Sequence, residues 1–183
     1  MRFSTWVEID LDALLHNIGE VRSRVGDDVR IMLVVKADAY GHGAVEVARC
    51  ALEGGVSMLG VATLHEGIEL RQAGIAAPVL ILSPPMSEET PGVVEYDLSC
   101  TVPSLAVARS LSRACSTRGK TCPIHVEVDT GMGRSGIGPG EALPFISAAT
   151  SLPGLILEGI FTHFPSSDED AEFTGDQLGR FCE

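Results

Sequence analysis

Positive charge is scarce in this chain of 183 residues. Its 13 Lys and Arg stand against 25 Asp and Glu, a formal net charge of −12 with a pI near 4.7. Such a surface has no basic stripe to gather phosphates, which argues against nucleic acid or anionic membrane as the main partner. Long apolar runs are missing too: no stretch of roughly eighteen uncharged apolar residues occurs, so no membrane-spanning helix is available. The opening Met1-Arg2-Phe3-Ser4-Thr5-Trp6-Val7-Glu8 lacks an apolar segment and meets charge too early for a secretory signal. The expectation is a cytoplasmic protein. The five cysteines (Cys50, Cys100, Cys115, Cys122, Cys182) are scattered, with no CxxC pair and no zinc-type spacing. No metal site is therefore expected, and the thiols read as unpaired in a reducing compartment.

What is present is enough apolar residue for a core. Hydrophobic residues make up 45% and charged residues 21%, with mean hydropathy +0.22, which excludes disorder of the whole chain. Apolar β-branched runs at Ile31 to Val35, Met58 to Ala62, Val79 to Leu82, Leu98 to Val102, Ile124 to Val128 and Leu155 to Phe161 predict strands. Between them, periodicity predicts helices. The first is capped by Asp10 and carries an apolar stripe of Leu11, Leu14, Leu15, Ile18, Val21 and Val25. Others run over Ala44 to Leu52, Leu64 to Gln72, Ser104 to Ser116, Glu141 to Ala149 and from Asp170 onward.

Strand–helix alternation implies a parallel sheet. An open doubly wound sheet and a (β/α)₈ barrel both fit. The missing GxGxxG fingerprint weakens the nucleotide-binding version of the open sheet. Six βα units are visible where a barrel has eight, and the last stops partway through its helix, so a truncated barrel is one reading.

Three segments carry the chemistry. The first strand ends in Val34-Val35-Lys36-Ala37-Asp38-Ala39-Tyr40-Gly41-His42-Gly43. A lysine ending a buried strand is desolvated and suited to Schiff-base formation, although a snorkelling strand-end lysine would look the same. The glycines after it predict a flexible turn and an anion site where the next helix opens. In the fifth unit, alternation sets Ile124, Val126 and Val128 on one face and His125, Glu127 and Asp129 on the other, before a glycine-rich loop bearing Arg134. The sixth strand ends Gly159-Ile160-Phe161-Thr162-His163-Phe164, placing His163 at the same sheet end as Lys36 and Arg134. His16 and His65 read as surface, His42 as part of the turn and His125 as structural.

Four ordered segments resemble those of alanine racemases: WVEIDLDALLHN, VVKADAYGHG, VDTGMGRSGI and GIFTHF. The resemblance spans essentially the whole chain. It implies an α/β fold, a partial (β/α)₈ TIM-type barrel of about six βα units without the family's C-terminal β domain. Residues 1–183 would then be a truncated N-terminal domain binding pyridoxal 5'-phosphate. It also implies an isomerase that interconverts L- and D-alanine through an external aldimine by two-base proton transfer, in a homodimer.

Carried over residue by residue, the resemblance makes Lys36 the cofactor-bearing lysine and the base on one face of the substrate Cα. Tyr40 would bond the cofactor phosphate, Arg134 the phenolic oxygen and the substrate, and His163 would lie beneath the ring. Many relatives have a carbamylated lysine where Glu127 stands. Here a carboxylate is supplied directly, and the expectation is that Glu127 orients Arg134. The opposite-face base and the phosphate loops would lie beyond Glu183. A serine or broad-spectrum racemase and a non-catalytic carrier of the same cofactor are the alternatives.

Overall fold

The computed structural model describes residues 5–183. Met1 to Ser4, which entered the reading of the N-terminus, lie outside the described residues. The chain divides into two compact units, one up to Leu80 and one over Ile81–Glu183. Among the described residues six strands follow one another in chain order, each followed by at least one helix.

The first unit holds α1 (Leu11–Val25), β1 (Met32–Val34), α2 (Lys36–Gly41), α3 (Ala44–Glu53), β2 (Met58–Val61), α4 (Leu64–Gln72) and the start of β3 (Val79–Ile81). Asp10 caps α1 by accepting from the Ala13 N–H at 3.0 Å, which satisfies one of the first-turn donors. The apolar stripe on α1 is only partly covered: Ile18 is buried, while Leu15, Val21 and Val25 stay exposed. β1 pairs in parallel with β2, Met32 beside Met58 and Val34 beside Gly60.

α2 departs from expectation. A flexible glycine turn was predicted after Lys36, but the turn is built from ordinary residues in the left-handed region: Ala37, Asp38, Ala39 and Tyr40 have φ of 51°, 55°, 52° and 56°. L-residues avoid this region because Cβ crowds the following carbonyl, at about 1–2 kcal/mol per residue. Four in succession persist only where their surroundings over-determine them. At the predicted anion site one donor is already taken, since Asp38 Oδ1 accepts the Ala44 N–H at 2.6 Å where α3 begins.

The second unit holds α5 (Thr90–Glu95), β4 (Ser99–Thr101), α6 (Leu105–Arg118), β5 (Cys122–Glu127), α7 (Pro139–Thr150), β6 (Leu155–Phe161) and α8 (Ala171–Cys182). β4, β5 and β6 are parallel neighbours. Ile124 and Val126 of β5, and Val128 just past its end, are buried as alternation predicts, and Leu111, Ala114 and Cys115 of α6 add to the buried core. α5 was not foreseen: Thr90-Pro91-Gly92-Val93-Val94-Glu95 is too short for a period to show, and buried Val93 and Val94 hold it in place. β6 leaves Ile156, Leu157 and Ile160 exposed.

β5 and β6 shift register once. Ile124 lies beside Leu157 but His125 beside Gly159, so Glu158 is an extra residue on β6, the signature of a bulge. Glu158 accepts from Ser99 Oγ at 2.9 Å and meets His125 Nε2 at 3.0 Å. Gly159 is required beside it, because a Cβ there would lie 2.8 Å from the His125 ring.

The strain in α2 can be measured by substitution. Ala37 is exposed, so changing it alters the backbone preference and little packing. Ala37→Gly should leave stability unchanged or raise it by up to about 1 kcal/mol, relief of strain set against chain entropy. Ala37→Val should lower it by at least about 1 kcal/mol, because branching at Cβ tightens the restriction. Urea denaturation of both variants checks the order; a Val variant as stable as the Gly variant contradicts the left-handed assignment.

Candidate active site

In the first unit the left-handed turn decides where Lys36 and Tyr40 face. A left-handed turn brings side chains four apart to the same side, as a right-handed one does. Lys36 Nζ accordingly lies 5.9 Å from the centre of the Tyr40 ring, close enough for a cation–π contact. Tyr40 is exposed, and Lys36 makes no ion pair among the described residues. The backbone beneath is tied down. Val35 N–H donates to Gly60 O at 2.8 Å and Ala39 N–H to Val35 O at 2.9 Å. Ala37 N–H donates to Glu66 Oε1 at 2.8 Å. The other oxygen of Glu66 accepts the N–H groups of Ala62 at 2.6 Å and Thr63 at 3.0 Å.

In the second unit Asp129 organises the loop after β5. Its carboxylate accepts the N–H of Gly131 at 3.0 Å and that of Gly133 at 3.1 and 3.0 Å through its two oxygens. The Gly133 N–H holds the Asp129 carboxyl below the usual carboxylate range; partial burial opposes this, and the N–H groups of Gly131 and Met132 add to it. Arg134 leaves this loop exposed and without an ion pair among the described residues.

α8 closes on the same loop. Gln177, fully buried, donates through Nε2 to Thr130 Oγ1 at 3.1 Å and to His163 O at 3.1 Å. Thr130 Oγ1 and Thr162 Oγ1 are 2.7 Å apart, and Arg180 donates to Thr130 O at 2.8 Å. Phe173 packs so closely that a Cβ on Gly131 would come within 2.9 Å of its ring. One carboxamide thus fixes the His163 carbonyl and the loop that carries Arg134, while the His163 side chain remains exposed.

Glu127 is buried at the end of β5, but it does not reach Arg134. Its Oε2 accepts from Ser135 Oγ at 2.6 Å, and no ion pair joins it to Arg134 among the described residues. Anchoring the residue next to Arg134 uses the buried charge while leaving the guanidinium unpaired. Lys36 and Tyr40 are brought together within the first unit; Glu127 and Arg134 share the second unit with His163.

Residues that sequence reasoning passed over are Glu66, Gln177 and Thr130. Thr63-x-x-Glu66 before an apolar run is a capping-box pattern, and the box forms. That pattern could have revealed the cap, but not the further bond to Ala37. Among the cysteines, burial pushes the Cys115 thiol up to about 11, and the hydrogen bond with Cys122 raises that of Cys100 well above its ordinary value. These two thiols are neutral at physiological pH and are not nucleophiles.

Residues 9–183 match the family model described as alanine racemase, N-terminal domain. The chain belongs to this family. It is 45% identical to the alanine racemase of Desulforamulus reducens over 99% of this chain and 50% of that protein. The alanine racemase of Halothermothrix orenii is 42% identical over 97% of this chain and 47% of its own. Among solved structures, alanine racemase from Clostridium difficile superposes with a TM-score of 0.94 at 37% identity, covering 99% of this chain and 48% of that one. The Bacillus anthracis alanine racemase with bound L-Ala-P gives a TM-score of 0.90 at 37% identity, covering 100% of this chain and 47% of that one. The chain spans about half the length of the curated relatives it matches. The α/β fold with six parallel strands is that of the alanine racemase N-terminal TIM-type domain.

Within the first unit, an amine with no carboxylate partner among the described residues (Lys36) beside an exposed phenol (Tyr40) is chemistry that suits pyridoxal phosphate, the family's cofactor. Within the second unit, Arg134 and His163 are exposed. Among the described residues no cluster of His, Cys, Asp and Glu suits a metal ion, and no helix is long and apolar enough to cross a membrane.

Asp129 gives a pH prediction. A carboxyl held below its unfolded value contributes stability above the unfolded pKa of about 3.9, and that stability is lost as pH falls through the folded one. Asp129→Asn should therefore be less stable than the parent at pH 7, and the gap should close below about pH 4. Thermal denaturation across that range checks it; a gap that is constant with pH would show that the charge does not hold the loop.

Proposed function

We propose that residues 1–183 form the N-terminal, cofactor-binding part of an alanine racemase, an enzyme interconverting L- and D-alanine in a homodimer. The observation that supports it most is the Lys36 amine: unpaired, at the end of a parallel strand, and set beside the Tyr40 ring by a left-handed turn. Pyridoxal phosphate, when bound, supplies an electron sink that makes the substrate Cα–H acidic.

Lys36 Nζ would hold the cofactor and would take or return the Cα proton on one face of the substrate. Tyr40 would donate its hydroxyl to the phosphate. Arg134 would direct its guanidinium to the phenolic oxygen and the substrate, and His163 would support the ring. Glu127 acts on this set indirectly, by fixing Ser135 next to Arg134. It needs no carbon dioxide adduct to present its charge. The base for the other face is assigned to the family's C-terminal β-rich domain, outside the half of the relatives' length that this chain matches.

Borohydride reduction after incubation with pyridoxal phosphate tests the reading. The pyridoxyl label is expected on Lys36 and should vanish in Lys36→Ala. Exchange of the alanine Cα proton for deuterium by the full-length enzyme should fall by roughly 10²–10⁴-fold in that variant. A label on Lys120 instead, or none, contradicts the assignment.

A further inference from the structure

We propose that Glu66 is a positioning residue for Lys36, acting through the peptide N–H of Ala37. The proposal rests on the reading that Lys36 carries the cofactor. Lys36 sits between two tethered peptides. On its N-terminal side Val35 N–H is bound to Gly60 O at 2.8 Å. On its C-terminal side Ala37 N–H is bound to Glu66 Oε1 at 2.8 Å. Both anchors belong to one stretch, the end of β2 and the start of α4. Glu66 is itself fixed there, because its other oxygen accepts the N–H groups of Ala62 at 2.6 Å and Thr63 at 3.0 Å.

The Ala37 N–H needs this partner. It lies in the first turn of α2, where a backbone donor has no acceptor within the turn, and the left-handed conformation begins at Ala37 itself, with φ of 51°. Further along, the turn is closed by other bonds: Ala39 N–H to Val35 O at 2.9 Å and Gly43 N–H to Asp38 O at 3.0 Å. Among the described residues Glu66 supplies the acceptor for the Ala37 N–H, and it lies outside the turn. A carboxylate accepting backbone N–H groups gives stronger bonds than a neutral acceptor, and its two oxygens allow α4 and the Lys36 turn to share one side chain. Without it, Lys36 would keep its strand tether and lose the constraint that aims its side chain along the Tyr40 face.

Because Glu66 also caps α4, the two roles must be separated. Thr63→Ala removes the Thr63 Oγ1 that accepts the Glu66 N–H at 3.3 Å and leaves the Ala37 bond intact. Glu66→Asp keeps a carboxylate near the Ala62 and Thr63 N–H groups but is one methylene too short to reach Ala37 as well. Glu66→Gln keeps the shape and turns one acceptor oxygen into an NH₂ facing a backbone donor.

In the full chain, attachment of pyridoxal phosphate is followed by its visible absorption and by borohydride mapping of the labelled lysine, with melting temperature recorded for each variant. Expected are attachment at Lys36 slowed by about tenfold or more in Glu66→Asp and Glu66→Gln, and an unchanged rate in Thr63→Ala despite a lower melting temperature. Wild-type rates in both Glu66 variants would overturn the proposal. So would equal slowing in Thr63→Ala, which would make α4 stability the cause. If Glu66→Gln fails to fold, Glu66→Asp against Thr63→Ala decides alone. Absence of label on Lys36 in the unaltered chain would remove the functional reading, and the proposal with it.

Discussion

Four consecutive L-residues held at positive φ are the constraint from which the rest of the first unit's chemistry follows. The turn Ala37–Tyr40 begins two residues after buried Val35, just past the end of β1, and Lys36 between them has no ion pair among the described residues. Such a conformation is unfavourable in isolation. It exists here because each end is tied to a fixed element: Val35 and Ala37 to the β2–α4 stretch, Asp38 to the start of α3. The polar groups that could have neutralised Lys36 serve the backbone instead. Glu66 and Asp38 are both acidic and near in sequence or space, yet both accept backbone N–H groups.

The second unit follows the same division. Asp129, Glu127 and Gln177 bind backbone N–H groups, a serine hydroxyl, a threonine hydroxyl and a carbonyl. Arg134 and His163 are left exposed. Charged and polar side chains that stay near the sheet are used for holding loops, and those that could meet a ligand have no protein partner among the described residues. This is the arrangement expected of a pre-organised site, where loops are rigid and the reactive groups are unsatisfied until a ligand arrives. Gln177 illustrates the cost: its Oε1 is buried and has no hydrogen-bond partner, while its NH₂ makes both bonds that fix the loops.

Much of this was legible in the sequence. Strand runs rich in Val, Ile and Leu placed all six strands within a few residues, and β6 (Leu155–Phe161) and α4 (Leu64–Gln72) match to the residue. Alternation in β5 singled out Ile124 and Val126 as buried, but Glu127 on the other face is buried as well. The family resemblance, resting on four ordered segments, is matched by the family model over residues 9–183. What was not legible shares one physical origin. Handedness of a turn, the partner of a carboxylate and a bulge at Glu158 depend on what other segments supply, and local pattern carries none of it. Ala-Asp-Ala-Tyr has no residue that favours positive φ strongly, so the glycines beyond it drew attention instead. Glu127 was expected to orient Arg134 because it stands where many relatives have a carbamylated lysine, whereas its bond is to the Ser135 hydroxyl.

The central claim, that a left-handed turn presents Lys36, is tested most directly by the backbone itself. At positive φ the amide proton and the Hα of the same residue lie closer together than in a right-handed helix. Nuclear Overhauser spectroscopy of the folded chain should therefore show strong intraresidue N–H to Hα cross-peaks at Ala37, Asp38, Ala39 and Tyr40, four in succession, against weak ones through Val45 to Leu52 of α3. Weak intraresidue peaks at those four residues, matching α3, would contradict the account.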